Sequence, residues 1–362
     1  MKSILKDLSK EYSLFIAMIT LVVINFLEHS LISSSAGNII GFLVLFVVII
    51  YSALSVAHHA EMLAHKFGEP YGTLILTISA VVVEIIIIVI MMLHAHDANL
   101  ARDTIYSAVM LDINALLGIS AIIGGIKYGE QPYNIDSSNS YLSMLLVSIG
   151  IAMVIPYFIP EALDGVFKLF TVILFIFLYV VFTKVQVKSH KYFFVYSSSD
   201  SDNNHSIDKA PNEINGWYHG FNLIFSIALI GALAEILSVF MGNTLSQLGL
   251  PLTIGAVSVA LISASPELIV AIRAASANNM QTVINIALGA SLATVLLTIP
   301  AVIIVTKMMG MEINLTLSPI QGFMLGLTIL VSMVNFNDGE TNVLEGFLHF
   351  ILFIVFIFLL FI

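Results

Sequence analysis

Apolar runs of about twenty residues, separated by short polar stretches, recur along the whole of this 362-residue chain. A bilayer core takes roughly 20 helical residues to cross, and counting on that scale predicts eleven helices. Their approximate extents are 12–28, 39–64, 72–94, 103–124, 141–160, 165–187, 218–241, 250–275, 281–307, 316–335 and 343–362. The longest polar segment, Lys188 to Trp217, separates spans two to six from spans seven to eleven. Five is odd, so the second group must cross the membrane in the opposite sense to the first, as in an inverted repeat. The predicted fold is an all-α membrane protein of about eleven transmembrane helices: an extra first helix plus two inverted five-helix repeats, with broken helices at the midplane. The predicted divisions are 1–38 for the extra helix, 39–187 and 218–362 for the repeats, and 188–217 for an acidic cytoplasmic linker.

Composition strengthens the membrane reading. Hydrophobic residues make up 59% of the chain and charged ones 10%, and the mean hydropathy of +1.02 is beyond that of a soluble domain of this size. The chain has no Cys, which excludes disulfides, thiolate metal sites and cysteine nucleophiles. The net charge of −10 comes with no basic stripe, so no nucleic acid partner is expected. With a cytoplasmic N-terminus, Lys2, Lys6, Lys10, Lys66, Lys127, Lys184, Lys188, Lys191, Lys209 and Arg273 fall inside, and only Arg102, Lys168 and Lys307 outside. That asymmetry is what the positive-inside rule requires. Ser34-Ser35-Ala36 resembles a signal cleavage site, but the preceding apolar run is longer than a signal core, so a retained first helix is expected.

Against this background the acids within the spans carry the chemistry. Glu84 is the only ionisable residue of Thr73–Leu93, and Glu267 the only acid of Thr253–Ile272. A carboxylate at mid-bilayer costs about 2.5–3.5 kcal/mol or more and normally faces a partner, an ion or a water-filled path. Each is preceded by a second acid one helix earlier: Glu61 before Glu84, and Glu235 before Glu267. These two are candidate proton way-stations or gate residues, with snorkelling to the membrane edge the competing reading for Glu61. Pro266 adjoins Glu267, removing a backbone donor and freeing a carbonyl at the depth where a site would sit.

The helices that follow bring polar faces. Asp103, Ser107, Met110 and Asn114 recur at helical spacing in the fourth span; Gln281, Asn285 and Gly289, and beside them Ser291, Thr294 and Thr298, do so in the ninth. Small and hydroxylated residues also serve helix packing in membranes, which competes with a ligand role for Ser107, Thr298 and the glycines. Asn114, Ser265, Ser291 and Thr294 are the candidate additional ligands. Two histidine groups, His58, His59 with Glu61 and His94, His96 with Asp97, lack the spacing of a zinc signature and are expected to be solvated surface. The linker acids Asp200, Asp202, Asp208 and Glu213 lack the glycine and terminal glutamate of a calcium loop, which favours a tether.

Two long segments carry a family resemblance. AHHAEMLAHKFGEPYGTLILTISAVVVE, with Glu61, Gly68, Gly72 and Glu84, and SASPELIVAIRAASANNMQTVINIALGASLATVLLTIP, with Glu267, Arg273, Asn278, Met280, Asn285, Gly289 and Pro300, resemble the two signatures of the cation/calcium exchanger superfamily, bacterial calcium/sodium:proton antiporter type. The resemblance implies that Glu84 and Glu267 are the main cation and proton carriers, with hydroxyl and backbone oxygens completing the shell. Two departures bear on selectivity. Calcium-selective relatives carry a Gly-Asn segment before each glutamate, where this chain has Ala80–Val83 and Ser263–Pro266, and a Gly-Ser pair near the position of Val109-Met110.

Two carboxylates suffice for exchange. Two ionised glutamates around a divalent cation sum to zero, as do two protonated ones, whereas the empty doubly ionised form does not. Metal and protons then compete for the same oxygens, and one sodium ion with one remaining proton is equally neutral. Calcium takes six to eight oxygens; the absence of Cys disfavours soft transition metals. The expectation is a secondary active cation:proton antiporter and not an enzyme, exporting calcium, or alternatively sodium or potassium, by alternating access. It would need no cofactor beyond the transported ions, and the lipid bilayer, inorganic cations and protons would be its partners, with no obligate protein partner evident. An intramembrane hydrolase would need aspartate or serine/histidine signatures that are missing, and a channel would need a continuous pore.

Overall fold

The computed structural model describes residues 11–68, 71–186 and 214–361. The linker acids Asp200, Asp202, Asp208 and Glu213 lie outside the described residues, as do Lys2, Lys6 and Lys10. Among the described residues there are eleven helices: α1 Tyr12–Ile32, α2 Ser35–Phe67, α3 Tyr71–Ala95, α4 Leu100–Tyr128, α5 Ile135–Phe158, α6 Glu161–Lys184, α7 Gly216–Leu248, α8 Leu252–Ser276, α9 Met280–Met308, α10 Pro319–Asn335 and α11 Val343–Leu359. Nine are long and apolar enough to cross a membrane, and α10 and α11 are shorter apolar helices. Two short strands, β1 Gln131–Pro132 and β2 Glu340–Thr341, pair antiparallel.

The helix ends are set by polar side chains that the apolar runs alone do not reveal. Ser34 caps α2 through Gly37 N, and Asn134, Asn215, Asn279 and Asn342 cap α5, α7, α9 and α11. Ser318 and Gln321 close a reciprocal capping box on α10, with Pro319 in its first turn. The largest shift of a helix start from expectation is that of α5, which begins at Ile135 rather than near 141, and α7 runs on to Leu248 rather than 241. The serine-rich opening turn of α5 is helical because Asn134 caps it and Ser137, Ser138 and Ser140 return their hydroxyls to local carbonyls at 2.6–3.0 Å. Gly249 ends α7 at φ +63° in the left-handed region, which suits glycine.

The expected breaks at the glutamates take another form. α3 and α8 run continuously through Glu84 and Glu267, and Pro266 lies inside α8 without ending it. A single proline removes one donor, and the rest of a 25-residue span keeps its own bonds. Irregular backbone appears instead as π-helical segments: Leu111–Leu116 in α4, Gly150–Val154 in α5 and Thr294–Thr298 in α9. Such wide turns are rare and are frequently found at functional sites.

The helices gather into two compact units, each drawing on both halves of the sequence. One comprises the described parts of Met1–Leu100 and Lys209–Pro266, the other those of Ala101–Asp208 and Glu267–Ile362. In the first, the 33-residue helices α2 and α7 pack along their length, with α1 and α3 beside them. Gly41 lets the Phe240 ring lie where a β-carbon would be, and Gly231 faces Ile86 of α3.

In the second unit, helices from the two halves of the sequence interleave. α4 meets α10, with Gln321 Nε2 donating to Asp103 at 2.8 Å and Asn114 Nδ2 to Thr328 at 2.9 Å. α9 meets α5 in the corresponding way, with Gln281 Nε2 donating to Ser137 at 3.0 Å and Gly289 close to Tyr141. α11 crosses α4 where Gly346 meets Gly118. Around the β1–β2 pair, the Tyr133 hydroxyl donates to Glu340 O at 3.2 Å; burial pushes this phenol well above its ordinary range, so it stays a neutral donor.

Large apolar side chains line the outside. Ile173, Phe177 and Val180 of α6 and Ile351, Ile354 and Phe358 of α11 are exposed in a way that only lipid contact would satisfy. The chain is an integral membrane protein.

Candidate functional site

Glu84 lies in the middle of α3, two residues before Ile86, where α3 crosses α7 at Gly231. It is 3% exposed. Of the three candidate acids of the first unit it is the buried one: Glu61, near the end of α2, and Glu235 of α7 are both exposed on the surface of that unit. Glu267 belongs to the second unit and is half-buried on α8. Ser265, two residues earlier, returns its hydroxyl to the Leu261 carbonyl, a local bond that it would have to release to serve a cation.

The polar faces of α4 and α9 divide into packing and site. Asp103 is held by Arg102 at 2.9 Å and by Gln321, and Ser107 donates to the Asp103 carbonyl at 2.6 Å. Asn114 is fully buried, its amide nitrogen on Thr328 and its oxygen 3.2 Å from His349 Nδ1, so both ends of this candidate ligand are engaged within the helix bundle. On α9, Gln281 Oε1 accepts from Asn134 N at 2.6 Å, and its amide donates to Asn285 at 2.9 Å. Ser291 is different, because its hydroxyl donates at 3.0 Å to Asp112 Oδ2 of α4. Thr294 opens the π-segment of α9 one turn further on and is buried.

Asp112 is the residue that the helical stripes passed over. It lies in the π-segment of α4, 3% exposed, and helical spacing sets it about 180° around α4 from the Asp103–Ser107–Met110–Asn114 line, on the side where Ser291 of α9 meets it. The signal was available: an acid near the centre of an apolar span, the same criterion that singles out Glu84.

The histidine groups also part ways. His94 and His96 are exposed, as expected. The expectation of solvated surface fails for His59, which is fully buried. Its Nδ1 is 2.9 Å from Nδ1 of His219, and its Nε2 is 3.2 Å from Glu11, which also accepts from Tyr218 at 2.5 Å. The N-terminal end of α7 covers that face of α2, a tertiary contact that local spacing cannot reveal. Among the described residues no group of three or more His, Cys, Asp or Glu converges as a metal site, and Arg273 is exposed on α8.

An all-helical membrane protein with carboxylates in the middle of its spans, π-turns beside one of them, and helices from both halves of the sequence interleaved in each unit has the makings of an ion carrier. Comparison with known proteins is specific. Residues 37–188 and 219–362 match the family described as sodium/calcium exchanger protein. The sodium-potassium/proton antiporter ChaA of Escherichia coli K12 is 32% identical over 98% of both chains. A Ca(2+)/H(+) antiporter of Aphanothece halophytica is 22% identical over 95% of both. The fold is that of native YfkE, with a TM-score of 0.76 at 21% identity over 96% of this chain and 99% of that one. Structures of the sodium-calcium exchanger NCX_Mj superpose at 0.55 over 90% of this chain and 99% of that one. The chain therefore belongs to the sodium/calcium exchanger family: it is a cation antiporter and not an enzyme.

Proposed function

We propose that the chain exchanges a cytoplasmic cation for protons by alternating access, with Glu84 and Glu267 as the carboxylates that load alternately with cation and protons. The buried mid-span position of Glu84 carries this reading. A carboxylate there is stable in apolar surroundings only when neutralised by a cation or a proton, which is the competition that antiport needs. The family match and the proton-coupled relatives support it. Glu61 and Glu235, exposed on the first unit, are suited to pass protons to and from water. Ser265, Ser291, Thr294 and Asn114 are proposed as supporting ligands, with Asn114 the least available because Thr328 and His349 engage its amide. The membrane would be a bacterial inner membrane, with the N-terminus cytoplasmic, as the lysine and arginine distribution supports.

Sodium or potassium leads as the exported ion. Val81–Val83 before Glu84 offers no side-chain oxygen to a divalent cation, and the 32%-identical relative bears a sodium-potassium/proton name. Calcium is the second reading, favoured by the calcium/proton exchange named for more distant relatives that span most of the chain. Everted membrane vesicles with an acid interior test this directly. Sodium, potassium, calcium and magnesium are added in turn, and proton release is followed with a pH-reporting dye. Release on sodium or potassium supports the leading reading, release on calcium alone supports the second, and no release with any cation overturns antiport.

A further inference from the structure

Helix α8 brings Glu267 into the second unit on a segment with little side-chain grip. That unit takes up α8 from Glu267 onward, and Pro266 just before it has no N–H to donate to the Ile262 carbonyl one turn back. Along residues 267–276 the fully buried positions are Ala271 and Ala275, so no large side chain is fully buried there. The far end of the segment is held by polar groups from α4 and the loop after it. Gln131, fully buried, donates its amide to the Ala275 carbonyl at 3.1 Å and to Asn278 Oδ1 at 2.9 Å. Lys127 Nζ and the Tyr128 hydroxyl both donate to the Ser276 carbonyl, at 2.7 and 2.8 Å.

The last carbonyls of a helix have no partner within it, and backbone already serves one of these: Ala275 O also accepts from Asn278 N at 3.1 Å, with Asn278 in the left-handed region at φ +59°. The side-chain bonds are therefore more than a cap. A buried amide such as that of Gln131 is costly unless it is bonded, and Gly124 of α4 leaves the room for it, since a β-carbon there would overlap Gln131 Oε1. The loop that carries Gln131 is itself fixed: β1 pairs with β2, and Asn134 N donates to Gln281 of α9 at 2.6 Å. Ser276 lies nine residues beyond Glu267, roughly 14 Å along the axis. A slip of one residue at the clamped end would carry Glu267 about 1.5 Å along the axis and about 100° around it.

We propose that Gln131 is a positioning residue for Glu267, setting the depth and rotation of that carboxylate through the end of α8, with Lys127 and Tyr128 reinforcing the clamp. The proposal deepens the antiport reading above and rests on it. A binding constellation works only when its groups are held within about 0.5 Å and about 10–20° of their productive geometry, so even a fraction of such a slip takes the Glu267 oxygens out of register with a cation. Loosening the clamp therefore weakens cation capture and raises the half-saturating cation concentration. A residue needed only for folding would lower the amount of working protein and leave the half-saturating concentration where it is.

The test uses the full-length protein in proteoliposomes, with the rate of cation-driven proton movement measured against sodium and against calcium concentration for wild type and Gln131→Met. Methionine keeps the length and bulk of glutamine but cannot donate. The proposal predicts a half-saturating concentration raised about five-fold or more, a maximal rate per folded protein changed far less, and faster amide hydrogen exchange over residues 267–276. An unchanged half-saturating concentration overturns the positioning role, and unchanged amide exchange in that segment overturns the clamp. If Gln131→Met does not fold, Tyr128→Phe combined with Asn278→Gly decides instead: the pair removes one donor to Ser276 and one acceptor of Gln131, changes no charge, and puts glycine where the backbone is left-handed. An unmoved half-saturating concentration in that protein overturns the proposal. Absence of cation-driven proton movement in wild type, or full exchange by Glu267→Gln, would instead overturn the antiport reading, while the amide exchange, which needs no transport, still reads the clamp.

Discussion

A β-carbon at Gly346 would lie 2.7 Å from Ile122 N, 2.9 Å from Gly118 O and 2.9 Å from Ile122 Cγ1, and one at Gly118 would lie 2.9 Å from Phe350 N. Three of these four atoms belong to backbone, so α4 and α11 must move apart to admit a methyl group. Overpacking of this kind costs about 1–3 kcal/mol, and alanine's higher helix propensity returns about 1 kcal/mol. Gly346→Ala should therefore destabilise by up to about 2 kcal/mol net, since close approach through small residues is what joins such helices. Gly326→Ala in α10 is the control, because nothing lies within 4 Å of its would-be β-carbon; it should be neutral or stabilise by up to about 1 kcal/mol. Thermal melting of the purified protein in detergent, followed by size-exclusion recovery, reads both. The double variant Gly118→Ala/Gly346→Ala should cost less than the sum of its parts, because the first methyl already separates the helices. A Gly346→Ala protein as stable as the Gly326→Ala control would refute the crossing as described.

Three further outcomes follow from the geometry. Asn114→Ala leaves the buried Thr328 hydroxyl and His349 Nδ1 without their amide partner and should destabilise by about 1–3 kcal/mol, read as a lower melting temperature. His59→Ala removes a fully buried ring that bonds His219 and Glu11; it should loosen the junction of α1, α2 and α7 by about 2–3 kcal/mol and speed proteolysis near the N-terminus, and unchanged protease resistance would count against that role. Glu61→Gln should shift the pH optimum of exchange while leaving measurable flux, because Glu61 is exposed on its unit and Glu84 is not; complete loss of flux would promote Glu61 to a carrier.

Much of the fold was legible because membrane spans announce themselves by length and hydropathy, and the boundary residues Ser34, Asn279 and Asn342 refine the ends by a turn or less. Glu84 was legible for the same reason, a lone acid in an apolar run. What the sequence could not supply was tertiary. Asn114 shares a stripe with Asp103 and Ser107, and only the packing of α10 and α11 shows that its amide is already used. His59 reads as a polar residue near a helix end, yet the start of α7 buries it against His219. Asp112 escaped because helical spacing puts it on the opposite side of α4 from the Asp103–Asn114 stripe, and only the packing of α9 shows that this side meets Ser291. Pro266 suggested a break in α8, but the helix absorbs a single missing donor and the irregular turns fall in the neighbouring spans.

The central claim is that Glu84 and Glu267 carry cation and protons in turn. Its most direct measurement is cation-driven proton release from everted, acid-loaded vesicles containing wild-type protein, Glu84→Gln or Glu267→Gln at matched expression. The account predicts release with wild type on adding the preferred cation and none with either variant, because a glutamine cannot exchange a proton for a metal charge. Full exchange by either variant would contradict it and remove that residue from the mechanism.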